Sequence, residues 1–441
     1  MLTLTLDKVA PTPARCQEIL QSSTDEFGIP LDLDRMLEYY AYYTNIAGMA
    51  KAVIQSITGL TNVTGPSLGW WIRDVVGAEG FLLTPRGDIS LSEESRKAAL
   101  AAGHLSEEVK TVLELYDQAS SASSAVNQFQ TILEFGQLDK GLTYDKHRMI
   151  RVRPKWVLQN TGRIGMRNPG LMNVAKQLAD IETVPEGYVY FTVDSGQIEP
   201  RIIQSAFIKD PLLKKCTTMY NDAYFGYVHY CTLLNDVQRA SCDLNITPME
   251  ITPELQAKRK KFKTYGNAVM YGSKKNEERD PDKDAFIRCI GNHPSRVLWQ
   301  KSIESRIDNG ETVFNTIFGT PIDITQNEDT GAGQKYVKGT DAHRAHLIRC
   351  AINNPVQGTA ADLMRFSISA AYNLLLRKAP KSYILRYTHD SGTFAIHVDD
   401  YDKVIDELRG ITSYQVEDWI PVYGDPQEGI IIKSGIPRLL N

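Results

Sequence analysis

The chain has 441 residues, of which 42 % are hydrophobic and 23 % charged, and its net charge is −4. These values are typical of a large globular protein divided into lobes, and they exclude a disordered, collagen-like or fibrous chain and a uniformly basic nucleic-acid-binding protein. No uncharged apolar run approaches the roughly 18 residues that span a bilayer, and the N-terminus lacks the pattern of a secretory signal, so we expect no membrane partner.

The N-terminal third of the chain contains two long predicted helices. Residues 1–28 show no clear pattern, residues 31–60 have apolar residues at helical spacing, and residues 61–104 are broken by Gly and Pro into short helices and loops. A long helix is predicted after Ser106, with acids in its first turn. Its heptad seam consists of Val112, Ala119, Val126 and Leu133, with Leu115, Ala122 and Phe129 between them. The seam is typical of a two-helix arm or of an ordinary bundle helix, and both remain open.

The rest of the chain alternates between strands and helices. A basic stretch begins at residue 151, the strand 188–193 ends at Asp194, and a helix begins near Gln197. Residues 212–320 and 343–376 are mostly helical. Strands at 383–387 and 393–398 are joined by a hairpin turn at 388–392. The pattern predicts an α+β fold with an antiparallel, palm-like sheet and helical lobes. The six cysteines form no C-x-x-C pair, which favours free thiols in a reducing compartment.

Two aspartates at strand ends are candidate metal ligands. Asp194 terminates one strand, and Asp390 lies in the hairpin turn. If the fold brings them together, the two carboxylates can hold two divalent ions for phosphoryl transfer. The simpler interpretations are a helix N-cap for Asp194 and a turn residue for Asp390, and spacing alone does not decide between them.

Two further helices carry polar residues at a spacing of four. Arg259, Lys263, Asn267 and Tyr271 share one helix face whose cationic half suits a triphosphate and whose aromatic end suits a base or sugar. The alternative is a solvated basic face. Arg349, Asn353 and Gln357 share a face of the second helix and can donate hydrogen bonds into a DNA minor groove. The alternative there is a polar helix end with a kink at Pro355.

These segments resemble the family A DNA polymerases, the bacterial polymerase I family. Asp194-Ser-Gly-Gln-Ile-Glu-Pro-Arg201 is similar to the first catalytic motif of the family, Arg259 to Gly272 to its nucleotide-binding finger helix, and Thr388-His-Asp390 to its second catalytic motif. The segment from Arg349 to Asp362 matches the family form R-x-x-I-N-x-P-x-Q-G-T-A-A-D. Thr161-Gly-Arg163 with Asn168 to Asn173 resembles the primer-contacting stretch. Val313 to Gly319 also has a family counterpart, between the fingers and the second part of the palm. The six similar segments occur in the family's order between residues 28 and 400.

The resemblance implies a right-hand polymerase that copies primer–template DNA with dNTPs. Its implied subdomains are an N-terminal segment (1–29), thumb (30–150), first palm part (151–211), fingers (212–335) and second palm part (336–441). Asp194 and Asp390 would hold two Mg²⁺ ions, with Mn²⁺ as an alternative. The implied nucleotide-binding residues are Arg259, Lys263, Tyr271, Glu199, Gln197 and Asn267. The implied DNA-binding residues are Arg163, Arg349, Asn353, Gln357 and His389.

The sequence also departs from the family pattern. Ser391 stands where an acid usually follows the second Asp, Asn267 replaces an aromatic residue, and Tyr224 stands near an expected His. These departures indicate a divergent member from a phage or mobile element, acting in the cytoplasm of a bacterial or phage-infected cell.

The length leaves no room for a proofreading exonuclease, so we expect none, or a separate exonuclease or replisome protein as a partner. The alternatives are a related single-subunit RNA polymerase or reverse transcriptase, and a catalytically silent DNA-binding protein. Glu199 disfavours ribonucleotide use, because a bulky acid beneath the sugar would crowd a 2′-hydroxyl. The retention of both aspartates disfavours a silent protein, which has no need for two costly carboxylates in one cleft.

Overall fold

The computed structural model describes residues 1–84, 87–144, 147–172, 181–271, 280–325, 338–388 and 390–426. They form two compact units. The first contains Met1–Ile29, Lys155–Arg167 and the described residues from Gly187 onwards, and the second contains those within Pro30–Pro154 and Asn168–Glu186. The division into palm, fingers and thumb with the boundaries given above remains a prediction.

The elements of the N-terminal half are β1 (Leu2–Leu4), α1 (Pro13–Phe27), β2 (Ile29–Asp32), α2 (Leu33–Thr58), α3 (Gly65–Val76), α4 (Glu93–Ala102), α5 (Glu107–Phe135), β3 (Gly136–Tyr144), β4 (His147–Val152), β5 (Lys155–Leu158), β6 (Ile164–Arg167) and β7 (Tyr188–Ser195). The elements that follow are α6 (Ile198–Ile202), α7 (Pro211–Tyr220), α8 (Ala223–Val228), α9 (Asp236–Ser241), α10 (Pro253–Met270), α11 (Pro281–Phe286), α12 (Pro294–Asp308), β8 (Val313–Asn315), β9 (Pro321–Asp323), α13 (Asp341–Lys378), β10 (Tyr383–Thr388), β11 (Ser391–His397), α14 (Tyr401–Ile411), β12 (Tyr414–Val416) and β13 (Gly424–Pro426). Helices α6, α8 and α11 each continue into a π-helical turn.

The second unit is built around a pair of antiparallel helices, α2 and α5. Near one end the rings of Tyr39 and Phe129 lie 6.4 Å apart, and near the other Ile54 packs in one core with Val109 and Val112. Small buried residues in the middle of the pair permit a close approach; they are Ala47, Ala50, Ala119 and Ala122. The two-helix arm is therefore the correct interpretation of the heptad seam. Ser106 caps α5 as predicted, accepting a hydrogen bond from the Val109 amide at 3.3 Å.

The first unit contains a four-stranded antiparallel sheet in the order β10-β11-β7-β13. One face carries a buried aromatic cluster in which Phe394 lies 6.3 Å from Phe191 and 5.9 Å from Tyr387. The predicted hairpin is confirmed, but its turn is shorter than expected because the pairing continues to Thr388 and Ser391. Gly392, assigned above to the turn, lies in β11, where a Cβ would stand 2.9 Å from the Tyr387 ring.

The helices of the first unit differ from the predictions in two places. Helix α1 was missed, although Thr12 caps it, Pro13 begins it and Cys16 and Ile19 are buried at helical spacing. Helix α13 neither begins nor ends near Pro355 but runs through it, so the interpretation as a polar helix end is wrong. All six cysteines are free thiols, as predicted. Within the part of the chain that the structure describes, no helix has the length and apolar character needed to cross a membrane.

Candidate active site

The two candidate catalytic aspartates lie at the same end of the sheet, Asp194 within β7 and Asp390 in the turn before β11. Asp194 in β7 pairs in register with Ser391 in β11, and the amide of Ser195 donates a hydrogen bond to the carbonyl oxygen of Asp390 at 2.7 Å. Both aspartates are half-buried at the same end of the sheet. The structure therefore brings the backbones of two aspartates that are 196 positions apart in the chain close together.

This pair fits a magnesium site by the chemistry of its donors. Mg²⁺ prefers oxygen ligands and is usually held by one or two carboxylates, with water and substrate phosphates filling the other positions. Among the described residues, no group of three or more His, Cys, Asp or Glu side chains suited to a metal is found. Ser391, at the position of the expected third acid, instead forms a hydroxyl–hydroxyl hydrogen bond of 2.6 Å with Thr388.

Glu199, at the start of α6, contacts two other predicted site residues. One carboxylate oxygen pairs with the guanidinium of Arg163, and the other accepts a hydrogen bond of 2.6 Å from the hydroxyl of Tyr271. The side chains of Arg163 and Glu199 are only 16 % and 25 % exposed. Burial, followed by the charge of Glu199, raises the pKa of Tyr271, so this hydroxyl remains a donor. Tyr271 follows the last residue of α10.

The loop that carries Arg163 is fixed by a residue that the sequence reasoning missed. Arg365 in α13 is almost fully buried, pairs with Asp362 and donates to the carbonyl oxygens of Pro11 (2.8 Å) and Gly162 (3.1 Å). Gly162 has a φ of +76°, and a Cβ there would lie 3.0 Å from Nη1 of Arg365. The loop therefore needs glycine immediately before Arg163.

Arg259 is anchored inside the protein, whereas Lys263 is exposed. The Nε and Nη2 atoms of Arg259 donate to Oδ2 of Asp222 at 2.9 and 2.6 Å. The guanidinium lies 5.7 Å from the ring centroid of Tyr224 and 5.4 Å from that of Phe225. Lys263, one turn further along α10, has no contact with an acidic side chain among the described residues. Within the described part of the chain, Arg259 is therefore held in an ion pair, whereas Lys263 is exposed without an acidic partner.

Gln197 and Tyr224 complete this part of the site. Gln197 has a left-handed backbone with φ of 57°, and its amide donates to Asp222 and accepts from the Ala223 amide, each at 2.6 Å. Tyr224 lies with Glu199 along one cavity. Burial and then the nearby Glu199 raise its pKa to about 12, so the phenol stays protonated. Gln197, predicted to contact nucleotide, therefore holds the start of α8 in this structure.

The predicted minor-groove residues lie on α13. Arg349 is exposed, while Asn353 and Gln357 are half-buried one and two turns later. The side-chain oxygen of Asn353 is buried and accepts no hydrogen bond from the described residues. Asn267 lies within α10, and only its backbone is described. His389 lies outside the described residues.

The sequence reasoning also missed Asp222 and Arg201. Arg201 is buried and donates to the carbonyl oxygens of Gly196, Asn221 and Pro421 at 3.1, 2.7 and 2.6 Å, which fixes the turn after β7. Asp222 offers only the common signal of a helix N-cap before α8. Its link to Arg259, 37 positions away, has no local signal.

No protein-family model matches the chain. The DNA polymerase I of Pseudomonas aeruginosa is 25 % identical over 269 residues, covering 57 % of this chain and 26 % of the relative. That of Aquifex aeolicus is 22 % identical over 321 residues, covering 70 % and 46 %. The thermostable DNA polymerase I of Thermus thermophilus is 24 % identical over 311 residues, covering 63 % and 33 %. The chain therefore spans less than half the length of these curated relatives.

A solved structure shares the fold. The polymerase domain of Pol1 from M. smegmatis, in complex with DNA primer–template and dNTP, superimposes with a TM-score of 0.73 at 16 % identity, covering 94 % of this chain and 69 % of that one. The fold class predicted from the sequence is thereby confirmed. The chain is therefore similar in sequence, at low identity, to several bacterial DNA polymerases I, and it shares its fold with this polymerase domain.

Proposed function

We propose that this chain is a template-directed DNA polymerase that adds dNTPs to the 3′ end of a primer. The observation that carries the proposal is the register between β7 and β11, which brings Asp194 and Asp390 to one end of the sheet. The finger helix α10, with Arg259 and Lys263, belongs to the same compact unit. This combination suits phosphoryl transfer, in which positioning and charge stabilisation supply most of the catalysis.

Asp194 and Asp390 would hold two Mg²⁺ ions, or Mn²⁺. Such ions, when bound, lower the barrier by activating the attacking oxygen and stabilising the leaving one. Lys263 and the remaining N–H groups of Arg259 bind the triphosphate. The Tyr271 hydroxyl holds Glu199 against the sugar edge of the nucleotide. Asn267 and Gln197 remain predicted nucleotide-binding residues. Gln197 would act indirectly, by holding the start of α8.

The primer–template duplex would contact Arg163, Arg349, Asn353, Gln357 and His389. Arg349 is exposed, and the buried oxygen of Asn353 accepts no hydrogen bond within the described residues. Arg163 would contact the duplex from a guanidinium that is already paired with Glu199. The lack of proofreading activity remains a prediction.

The alternatives are an RNA polymerase or a reverse transcriptase of related fold. Glu199, held at both oxygens, favours deoxynucleotides because a fixed carboxylate beside the sugar opposes a 2′-hydroxyl. A reverse transcriptase, which would copy an RNA template with dNTPs, is the second candidate.

The test is primer extension on matched DNA and RNA templates, with dNTPs or NTPs, in Mg²⁺ or Mn²⁺. We expect extension on DNA with dNTPs. Asp194→Asn and Asp390→Asn should each lower kcat by about a thousandfold or more, because losing a ligand removes several kcal/mol of transition-state stabilisation. Primer–template affinity should change less than threefold. Near wild-type extension by either variant would contradict the assignment of that aspartate.

A further inference from the structure

Asp222 is the residue through which three parts of the active-site region meet. Its Oδ1 atom accepts the Phe225 amide at 2.8 Å and thereby caps α8. Its Oδ2 atom accepts three hydrogen bonds, two from Arg259 and one from Gln197. The side chain is only 14 % exposed. One carboxylate therefore joins the first catalytic segment, the start of α8 and the finger helix.

The contacts leave Arg259 oriented but not saturated. A guanidinium has five N–H groups in a rigid plane, and Asp222 uses one on Nε and one on Nη2. The structure shows no other hydrogen bond from Arg259 to the described residues, so three N–H groups can still reach a phosphate. The rings of Tyr224 and Phe225, 5.7 and 5.4 Å from the guanidinium carbon, further restrict its plane.

We propose that Asp222 is a positioning residue that fixes Arg259 for the triphosphate and, through Gln197, ties that arginine to the segment carrying Asp194. This inference rests on the proposed polymerase function. Asp222 touches neither nucleotide nor metal in this scheme. It acts by removing the rotational freedom of Arg259 before the nucleotide arrives, which lowers the entropic cost of binding.

The positioning proposal predicts that removal of the Asp222 carboxylate weakens triphosphate binding, whereas simple electrostatics predicts that it strengthens binding. Asp222 is an anion beside a site for an anionic ligand, so neutralising it should strengthen triphosphate binding by Coulomb's law. Positioning predicts weaker binding. The sign of the change therefore separates a residue that orients Arg259 from one that merely competes for it.

The test variant is Asp222→Asn. Asn is as good an N-cap as Asp, so its oxygen can keep the Phe225 contact, while its NH₂ group then faces the donors of Arg259 and Gln197. Asp210→Asn is the matched control. Asp210 caps α7 through the Leu213 amide at 2.7 Å, is 17 % exposed and contacts His293, with no role assigned in the site.

We expect Asp222→Asn to raise KM for dATP by about ten- to a hundredfold, the range for losing hydrogen bonds to a charged group. The change in kcat should be under threefold, the primer–template Kd should be unchanged, and Asp210→Asn should have no effect on KM. In an Arg259→Ala background, Asp222→Asn should add less than twofold, because the arginine it positions is absent. An unchanged or lower KM, or an equal effect in both backgrounds, would overturn the proposal.

A direct binding measurement separates this proposal from the proposed function. Inorganic tripolyphosphate is titrated into each protein by calorimetry, without primer or catalysis. A wild-type protein that extends no primer contradicts the polymerase function. The positioning role would still be supported if Asp222→Asn and Arg259→Ala each bind tripolyphosphate more weakly than the wild-type protein and the double variant shows no further loss of binding. Equal or tighter binding by Asp222→Asn would refute it.

Discussion

The contacts of Glu199 with Arg163 and Tyr271 predict how strongly the protein selects deoxyribose over ribose. Glu199→Ala removes the carboxylate that both Arg163 and Tyr271 hold. We expect the ratio of kcat/KM for dATP to that for ATP to fall by roughly ten- to a hundredfold. A 2′-hydroxyl that clashes with the carboxylate or is left badly paired raises the free energy of the transition state by about 1–3 kcal/mol. Each 1.4 kcal/mol changes the kcat/KM ratio about tenfold.

Two further variants separate the causes of this effect. Glu199→Gln keeps the volume and removes the charge, so it should retain most of the selection if exclusion is steric. Tyr271→Phe removes only the 2.6 Å hydrogen bond and leaves Arg163 to hold Glu199. Its effect on the ratio should therefore be smaller than that of Glu199→Ala, at about two- to tenfold.

The stability of these variants can be bounded from the same contacts. The ion pair between Arg163 and Glu199 is mostly screened from solvent, and Nε of Arg163 is buried without an acceptor in the described residues. Its loss in Glu199→Ala should lower the free energy of unfolding by about 1–3 kcal/mol, more than an exposed pair would. Single-nucleotide incorporation assays measure the dATP/ATP ratio of kcat/KM, and denaturant melts measure the free energy of unfolding. An unchanged dATP/ATP ratio in an active Glu199→Ala protein would refute the reasoning.

Two other variants test the nucleotide and primer contacts. Lys263→Ala should raise KM for dNTP at least tenfold in steady-state extension. Lys261→Ala should not, because Lys261 on the same helix is already paired with Asp280 and Asp282. Equal effects of the two variants would indicate a general patch of positive charge. Gly162→Ala should lower the free energy of unfolding by about 1 kcal/mol and weaken primer–template binding, because it strains a positive φ and crowds Arg365. Fluorescence anisotropy and thermal melts check the second prediction, and unchanged DNA affinity would separate this loop from the primer.

Local patterns predicted the elements of the fold better than the contacts between them. The strand that carries Asp194, the helix after Ser106 and the cationic face of α10 all follow from spacing and capping signals within a few residues. The hairpin turn was placed too wide because Gly392, a usual turn residue, instead lies in a strand under the Tyr387 ring. Packing of a distant side chain decided that position, and no local pattern carries it.

The site residues that sequence reasoning missed share the same cause. Asp222 and Arg365 act through partners 37 and 203 positions away. Each looks ordinary beside its neighbours, as a helix cap and as one more residue of a long helix. The register that joins Asp194 to Asp390 is equally non-local. Only the resemblance to a family, which carries tertiary information from other chains, indicated before the structure that these aspartates meet.

The charge balance of the site explains why divalent ions belong in the proposed reaction. Among the described residues discussed for the site, the carboxylates are Asp194, Asp390, Glu199 and Asp222, and the cations assigned to the nucleotide or its sugar contact are Arg163, Arg259 and Lys263. Two of the three cations are already neutralised by ion pairs. The carboxylates of Asp194 and Asp390 would repel a triphosphate that enters this site, which opposes binding. Ions held by Asp194 and Asp390 would reverse that effect. Nucleotide affinity in such a site therefore depends on the carboxylates as much as on the cationic helix, since they recruit the charge that the helix alone does not supply.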